Sequence, residues 1–189
     1  MGWRFESSQV SVNTYENTSF VIKDFVKEEL QNLNSWCLNN YKKSFFKDAN
    51  MGKPGTRMTT RFSSTSEGLN FPSEAYKIKS KIINRLNLVN YKQPSFHDGI
   101  VCGIGFNGGS IYPHIDPVWH KNTYTFHCNL LSNKPLLGGE TYINSQLFPV
   151  ECGDLLCFDV SSQEHMVSEI YGDEPRILWV FGFSIPTNV

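Results

Sequence analysis

Residues 100–116, IVCGIGFNGGSIYPHID, decide how this chain is read. Two runs rich in β-branched and aromatic residues, Ile100–Phe106 and Ile111–Asp116, are split by the turn-forming trio Asn107-Gly108-Gly109, which predicts two short strands joined by a turn. Every later run has the same texture. Thr123–Leu131, Glu140–Ile143, Asp154–Val160, Met166–Ile170 and Arg176–Ser184 are separated by Asn133-Lys134-Pro135, Gly138-Gly139, Cys152-Gly153 and Gly172-Asp173-Glu174-Pro175. Short strands at this spacing predict an antiparallel sandwich or jelly roll.

Toward the N-terminus the period changes. Over 22–43, Phe25, Val26, Leu30, Leu33, Trp36, Cys37 and Tyr41 recur at spacings of three and four, as in an amphipathic helix. A second helix is expected from Pro72-Ser73-Glu74, since proline suits helix entry and Tyr76, Ile78, Ile82, Ile83 and Leu86 continue an apolar stripe. Residues 48–70 read as loop around a short strand, Arg57–Ser63. The expectation is an all-β core with flanking helices: a helical support region over 1–97 and a β core over 98–184. At 189 residues the length suits one domain, 1–189.

Bulk properties narrow the function classes. A composition 40% hydrophobic and 14% aromatic with net charge −1 describes a globular chain, and near-neutrality argues against a nucleic-acid partner. The basic cluster from Lys42 to Arg61 reads as a solvated face around a loop. Five cysteines without C-x-x-C spacing indicate neither a disulfide framework nor a structural zinc site. Reduced thiols, no apolar leader and no run long enough to span a bilayer predict a cytoplasmic protein with no membrane partner. The sequon Asn17-Thr18-Ser19 is then a coincidence.

The chemistry sits in the strands. Residues i and i+2 of a strand share a face, so Tyr112, His114 and Asp116 should point together. An H-x-D alone is weak, arising by chance in about one chain in five of this composition. Its company strengthens it: His165 lies 49 residues after Asp116, and Arg176 lies 11 after His165. Two imidazoles and a carboxylate hold iron(II) on one face and leave positions open. Arg176 heads the nearly apolar strand Ile177–Phe183 and needs an anionic partner there, either Asp173 or Glu174, or the far carboxylate of a bound dicarboxylate. Thr125, His127 and Asn129 alternate with apolar neighbours. Their face either meets solvent or lines the barrel, where Thr125, Asn129 and Tyr112 are candidates to bind a cosubstrate with His127 nearby. Trp119, His120, Arg57 and Arg61 are candidates to touch substrate, while His97 reads as structural.

His-x-Asp, a distal His and an Arg about ten residues later resemble the iron(II)- and 2-oxoglutarate-dependent dioxygenase superfamily. Gly108–Asp116 and Gly138-Gly139-Glu140-Thr141 further resemble its prolyl 4-hydroxylase-like branch. The resemblance covers residues 98–184. It implies a double-stranded β-helix (jelly roll, cupin-like), with His114, Asp116 and His165 as iron ligands and Arg176 as partner of the 5-carboxylate of 2-oxoglutarate. It also implies O2 as co-reactant, ascorbate as a candidate reductant, and hydroxylation of a prolyl, amino-acid or other small substrate with release of succinate and CO2. Asp116 stands where related halogenases carry a small residue, and Gly182 stands where nucleic-acid demethylases carry a second arginine, so the departures favour hydroxylation. The tyrosine found three residues before the first ligand in such hydroxylases is Ile111 here. Two alternatives stand beside this reading: a zinc or manganese hydrolase or isomerase on the same barrel, and a non-enzymatic ligand-binding jelly roll.

Overall fold

A computed structural model of the chain describes residues 15–43, 46–49, 51–60, 70–93 and 97–187. In chain order its elements are β1 (Ser19–Ile22), α1 (Leu30–Asn40), β2 (Lys47–Asp48), β3 (Arg57–Thr59), α2 (Ser73–Leu86), a 3-10 turn (His97–Gly99), β4 (Ile100–Gly105), β5 (Ile111–His114), β6 (Thr123–Asn133), β7 (Leu137–Gly138), β8 (Thr141–Ile143), β9 (Gln146–Phe148), β10 (Leu155–Asp159), β11 (His165–Val167), β12 (Ile170–Tyr171) and β13 (Arg176–Pro186).

The strands form a seven-stranded sheet in the order β1-β10-β6-β13-β4-β3-β2, a four-stranded sheet β5-β11-β8-β9, and a two-stranded clasp β12-β7. This is the jelly-roll core that the strand spacing predicts. β13 and β6, eleven residues each, form the spine of the large sheet. Alternation along β13 sends Ile177, Trp179, Phe181, Phe183 and Ile185 into the main apolar core, while Leu178 and Val180 turn to a cavity between the sheets. Burying each such large side chain contributes about 1.5–3 kcal/mol.

The helices cover the core face of the large sheet. α1 buries Leu33 and Cys37, and α2 buries Ala75, Ile78, Ile82 and Leu86 at spacings of three and four. Trp36 of α1 packs 5.4 Å from Trp179, ring centre to ring centre. α2 begins directly after Pro72 and ends at Asn87, whose left-handed φ of 48° lets the Leu88 N–H close on the Ile83 carbonyl.

Two expectations need correction. The helix predicted over 22–43 begins only at Leu30, because Ser19–Ile22 is a strand on the edge of β10 and the segment after it is a turn. Phe25 and Val26 are buried as predicted, but in that turn. The Val26 N–H bonds to Gly153, while the Asp154 carboxylate takes the Asp24 N–H and the Lys23 ammonium at 2.7 Å. The run Met166–Ile170 is likewise two strands: β11 pairs with β5 and β8, and β12 pairs with β7. The strand expected over Arg57–Ser63 is seen as Arg57–Thr59, and 61–63 lie outside the described residues. Among the described residues no helix is long and apolar enough to cross a membrane. The cysteines are free thiols, with Cys128 directly opposite Cys157 across β6 and β10.

Candidate metal centre and cavity

Two of the three expected ligands come from the small sheet, through a defect in its register. His165 pairs with His114 and Val167 with Ile111, so three residues of β11 span four of β5. The extra residue is a β-bulge, and Pro113 within this stretch has no N–H to contribute to a ladder. The bulge puts β5 out of alternation: Ile111 and His114 face the cavity, and Tyr112 is 60% exposed. This corrects the expectation that Tyr112 shares the ligand face and binds a cosubstrate. β5 then ends at His114, Ile115 turns outward, and the Asp116 N–H bonds to the Val160 carbonyl at 2.8 Å, which fixes the carboxylate inward.

His114, Asp116 and His165 each offer a ligand atom, and the three atoms lie within 4.8 Å of one another. His114 Nε2 is 3.7 Å from Asp116 Oδ1. The Nδ1–H of His114 donates to the Tyr112 carbonyl at 2.8 Å and that of His165 to the Gln163 carbonyl at 3.1 Å. These bonds select the tautomer that leaves each Nε2 lone pair for a cation. Burial, then the neighbouring His114, hold the His165 pKa below its ordinary value, which favours the neutral ligand form. The Phe158 ring meets the His165 imidazole edge-on at 5.1 Å.

The polar face of β6 lines the cavity with His127 and Asn129 but not with Thr125. His127 Nδ1 stands 3.8 Å from Asp116 Oδ2, on the carboxylate oxygen that does not face His114, and Trp119 packs 5.6 Å from the His127 ring. The Asn129 amide oxygen is buried with no hydrogen-bond partner among the described residues. Thr125 is a second correction. It is fully buried, its hydroxyl donates to the Pro117 carbonyl at 3.0 Å, and its role is to tie down the segment after Asp116.

Arg176 closes the far end of the cavity. Its Nε donates to the Gly139 carbonyl at 2.9 Å and its Nη2 to Thr141 Oγ1 at 3.1 Å. Among the described residues no ion pair joins it to Asp173 or Glu174, so the strand-mouth alternative is not what holds it. Burial, then the charge of Arg57, lower its pKa to about 10 against the pull of Glu140, and it stays cationic at neutral pH. Backbone geometry makes room for it. Gly139, at φ 71°, leaves space where a Cβ would come 3.0 Å from the arginine stem, and at Gly138 a Cβ would meet the Glu169 carbonyl oxygen at 1.8 Å.

The cavity between the ligand cluster and Arg176 encloses about 740 Å³ including its mouth. Asn129, Leu178, Val180, Val101, Arg57 and Thr59 line it from the large sheet, Thr141 lines it from the small sheet, and Met51 adds to the wall. Thr141, Thr59 and Met51 were not singled out from sequence. Only the position of Thr141, inside the Gly138–Thr141 motif, carried a signal for it. His120 Nε2 lies 3.0 Å from the Gln93 carbonyl, Arg61 lies outside the described residues, and Arg57 does line the cavity.

No protein-family model and no curated protein matches this chain in sequence. Solved structures match it in shape. A prolyl-4-hydroxylase from Pseudomonas putida superposes with a TM-score of 0.61 at 14% identity, over 89% of this chain and 92% of its own. The fold is that of the prolyl-hydroxylase-like oxygenases. A 2-oxoglutarate and iron(II) oxygenase-family oxidoreductase from Burkholderia pseudomallei gives 0.64 at 14% identity over 90% and 87% of the two chains. A prolyl hydroxylase in complex with a hypoxia-inducible-factor degradation-domain peptide, from Trichoplax adhaerens, gives 0.58 at 17% over 87% and 84%. At these identities the likeness is one of fold, and the chemistry must be argued from the residues.

Proposed function

We propose that this chain is an iron(II)- and 2-oxoglutarate-dependent hydroxylase. One observation carries the reading: a His-Asp-His cluster and a buried arginine face each other along one cavity of an oxygenase fold. The donor set fits iron(II), since both imidazoles present Nε2 and the carboxylate oxygen lies beside them. Iron, when bound, would supply the activation of O2 that turns 2-oxoglutarate into succinate and CO2 and delivers one oxygen to a substrate C–H bond.

The chain's own residues would do the rest. His114, Asp116 and His165 hold the metal. Thr141 and the Gly139 carbonyl aim Arg176 so that its remaining N–H groups can fork onto the distal carboxylate of the cosubstrate. Asn129 offers an amide alongside it, since an orphaned buried amide in a cavity wall is suited to a ligand. Leu178, Val180, Val167 and Phe158 exclude water around the reacting groups. The described halves act as one catalytic unit, because β3 and β13 wall the same cavity. Free thiols at all five cysteines suit a reducing cytoplasm. A small or peptidyl substrate is proposed by analogy with the peptide-bound Trichoplax structure.

Anaerobic titration with iron(II) and 2-oxoglutarate tests the reading. The expected result is a weak visible charge-transfer band that needs both components, followed by succinate release on admitting O2 with ascorbate as reductant. Folded protein without the band would overturn it. A zinc or manganese hydrolase would have no use for the buried Arg176 and would bind its metal with no effect of 2-oxoglutarate.

A further inference from the structure

We propose that the 2-oxo acid site has an apolar annex, floored by the bare backbone of Gly103, and that it therefore admits a 2-oxo diacid branched at the carbon beside its distal carboxylate; this rests on the hydroxylase reading above. Next to the main cavity lies a second hollow of about 420 Å³, open space at its edge included. Arg176, Leu178, Val180, Val101, Ile111 and Val167 line both. The walls that belong to the annex alone are Gly103, Ile104, Gly105, Gly109, Ser110 and Ile170. Of these six only Ser110 brings a polar side chain, so the added space is chiefly apolar.

The fold does not call for a glycine at this floor. Along β4, Ile100, Cys102 and Ile104 enter the main core, which turns Val101, Gly103 and Gly105 toward the annex. At Gly105 a Cβ would come 2.7 Å from Ile170 Cδ1, so packing excludes a side chain there. At Gly103 a Cβ would meet nothing nearer than the Met58 carbonyl oxygen at 3.9 Å and Arg57 Nη2 at 4.0 Å, which are ordinary contacts. The Gly103 backbone lies outside the left-handed region, and its pairing with Leu178 on one side and Thr59 on the other is unbroken by a bulge. A glycine inside a strand weakens the sheet, and one of its uses is the close approach of a ligand. That use is the one left at Gly103.

What borders the annex decides which ligand reaches it. Arg176 belongs to both hollows, whereas His114, Asp116 and His165 border only the main cavity, as do Met51 and Thr59. A substrate must hold its C–H bond at the metal, where the annex does not extend. A cosubstrate held on Arg176 by its distal carboxylate runs directly alongside the annex. Gly105 stands in register with Arg176 and Gly103 with Leu178, so the open floor begins one alternate position from the arginine, in the direction of the Val180–Asn129 pair. The carbon next to the clamped carboxylate would lie over this position. A branch on that carbon would find Leu178, Val180, Ile111 and Val167 as neighbours, and burying it there is favourable.

The test is calorimetry on manganese(II)-loaded protein, which binds the acids without turnover, titrated with 2-oxoglutarate and with the separate enantiomers of 4-methyl-2-oxoglutarate. We expect one enantiomer to bind at least as tightly as 2-oxoglutarate and up to about 4-fold tighter, the worth of one buried methyl group. Gly103→Val, which fills the floor, should weaken that enantiomer about 10-fold more than it weakens unsubstituted 2-oxoglutarate. Gly103→Ala should unfold in urea no earlier than wild type, since a strand position free of steric conflict gains from a side chain. The inference is overturned if both enantiomers bind more weakly than 2-oxoglutarate, if Gly103→Val weakens both acids alike, or if Gly103→Ala lowers the urea midpoint and so shows the glycine to serve the fold. Wild-type protein that binds manganese(II) but not 2-oxoglutarate is a separate outcome, which sinks the hydroxylase reading and this proposal with it.

Discussion

The two sheets that wall the cavity are built to different standards. The large sheet is a slab eleven residues deep at β6 and β13, with one face sealed by Trp179, Phe181, Phe183 and the helices. The small sheet has strands of three or four residues and leaves Tyr112 and Leu147 in solvent. Yet the small sheet carries both histidines of the ligand cluster, while the large one carries the arginines and the amide. The difference teaches a division of labour. Packing makes the Arg176 end, where the proposed cosubstrate carboxylate would sit, rigid, whereas a bound cation would itself complete the lightly packed end, joining β5 and β11 to the Asp116 segment that hangs from Val160.

That contrast can be broken by substitution. The largest effect on activity is expected from His114→Ala, which should abolish succinate formation and iron binding while circular dichroism shows the sheets intact. Loss of the fold would instead mean that the small sheet depends on this imidazole for packing. Next comes Phe181→Ala in the slab, which should cost about 3–5 kcal/mol in urea unfolding because a wholly buried ring leaves a cavity. A cost under 1 kcal/mol would remove the distinction between the sheets. Arg176→Met should raise the 2-oxoglutarate Kd by about 10- to 100-fold with iron affinity retained, as measured by calorimetry on the manganese form. Equal loss of both ligands would show that the two ends are not separate. The smallest effect belongs to Tyr112→Ala: stability should stay within about 0.5 kcal/mol and 2-oxoglutarate affinity should not move. A clear loss of cosubstrate affinity would put the tyrosine back inside the cavity.

What could be read from sequence follows the same line. The slab was legible because its strands are long, apolar and bounded by glycine, proline and asparagine, so Ile100, Thr123, Leu155 and Arg176 each fall within a residue of an expected strand start. That His114, Asp116, His165 and Arg176 would line one cavity was legible because the proposed metal and carboxylate sites limit which residue types can serve. The phase of β5 was not, since a bulge arises from pairing with β11 and leaves no mark in the local alternation. Thr125 misled for a related reason. Alternation gives the face of β6 but not where along it the cavity ends, and the Pro117 carbonyl claims that hydroxyl. The turn at 23–29 looked helical because Phe25 and Val26 keep helical spacing with Leu30 and Leu33, and its contacts with Gly153 and Asp154 lie more than a hundred residues away.

The clasp of β7 and β12 bears on how such a protein can diversify. At Gly138 any side chain would collide with the Glu169 backbone, and at Gly139 it would crowd the stem of Arg176. Gly138 cannot change without moving the Glu169 backbone, nor Gly139 without displacing Pro135 or the arginine stem. The same cavity is walled in part by Met51, a flexible side chain that can be exchanged for others of different size. Substitution is thus sterically blocked beside Arg176 and far less constrained at Met51 on the same cavity, so one end of the cavity can be reshaped while the other is held.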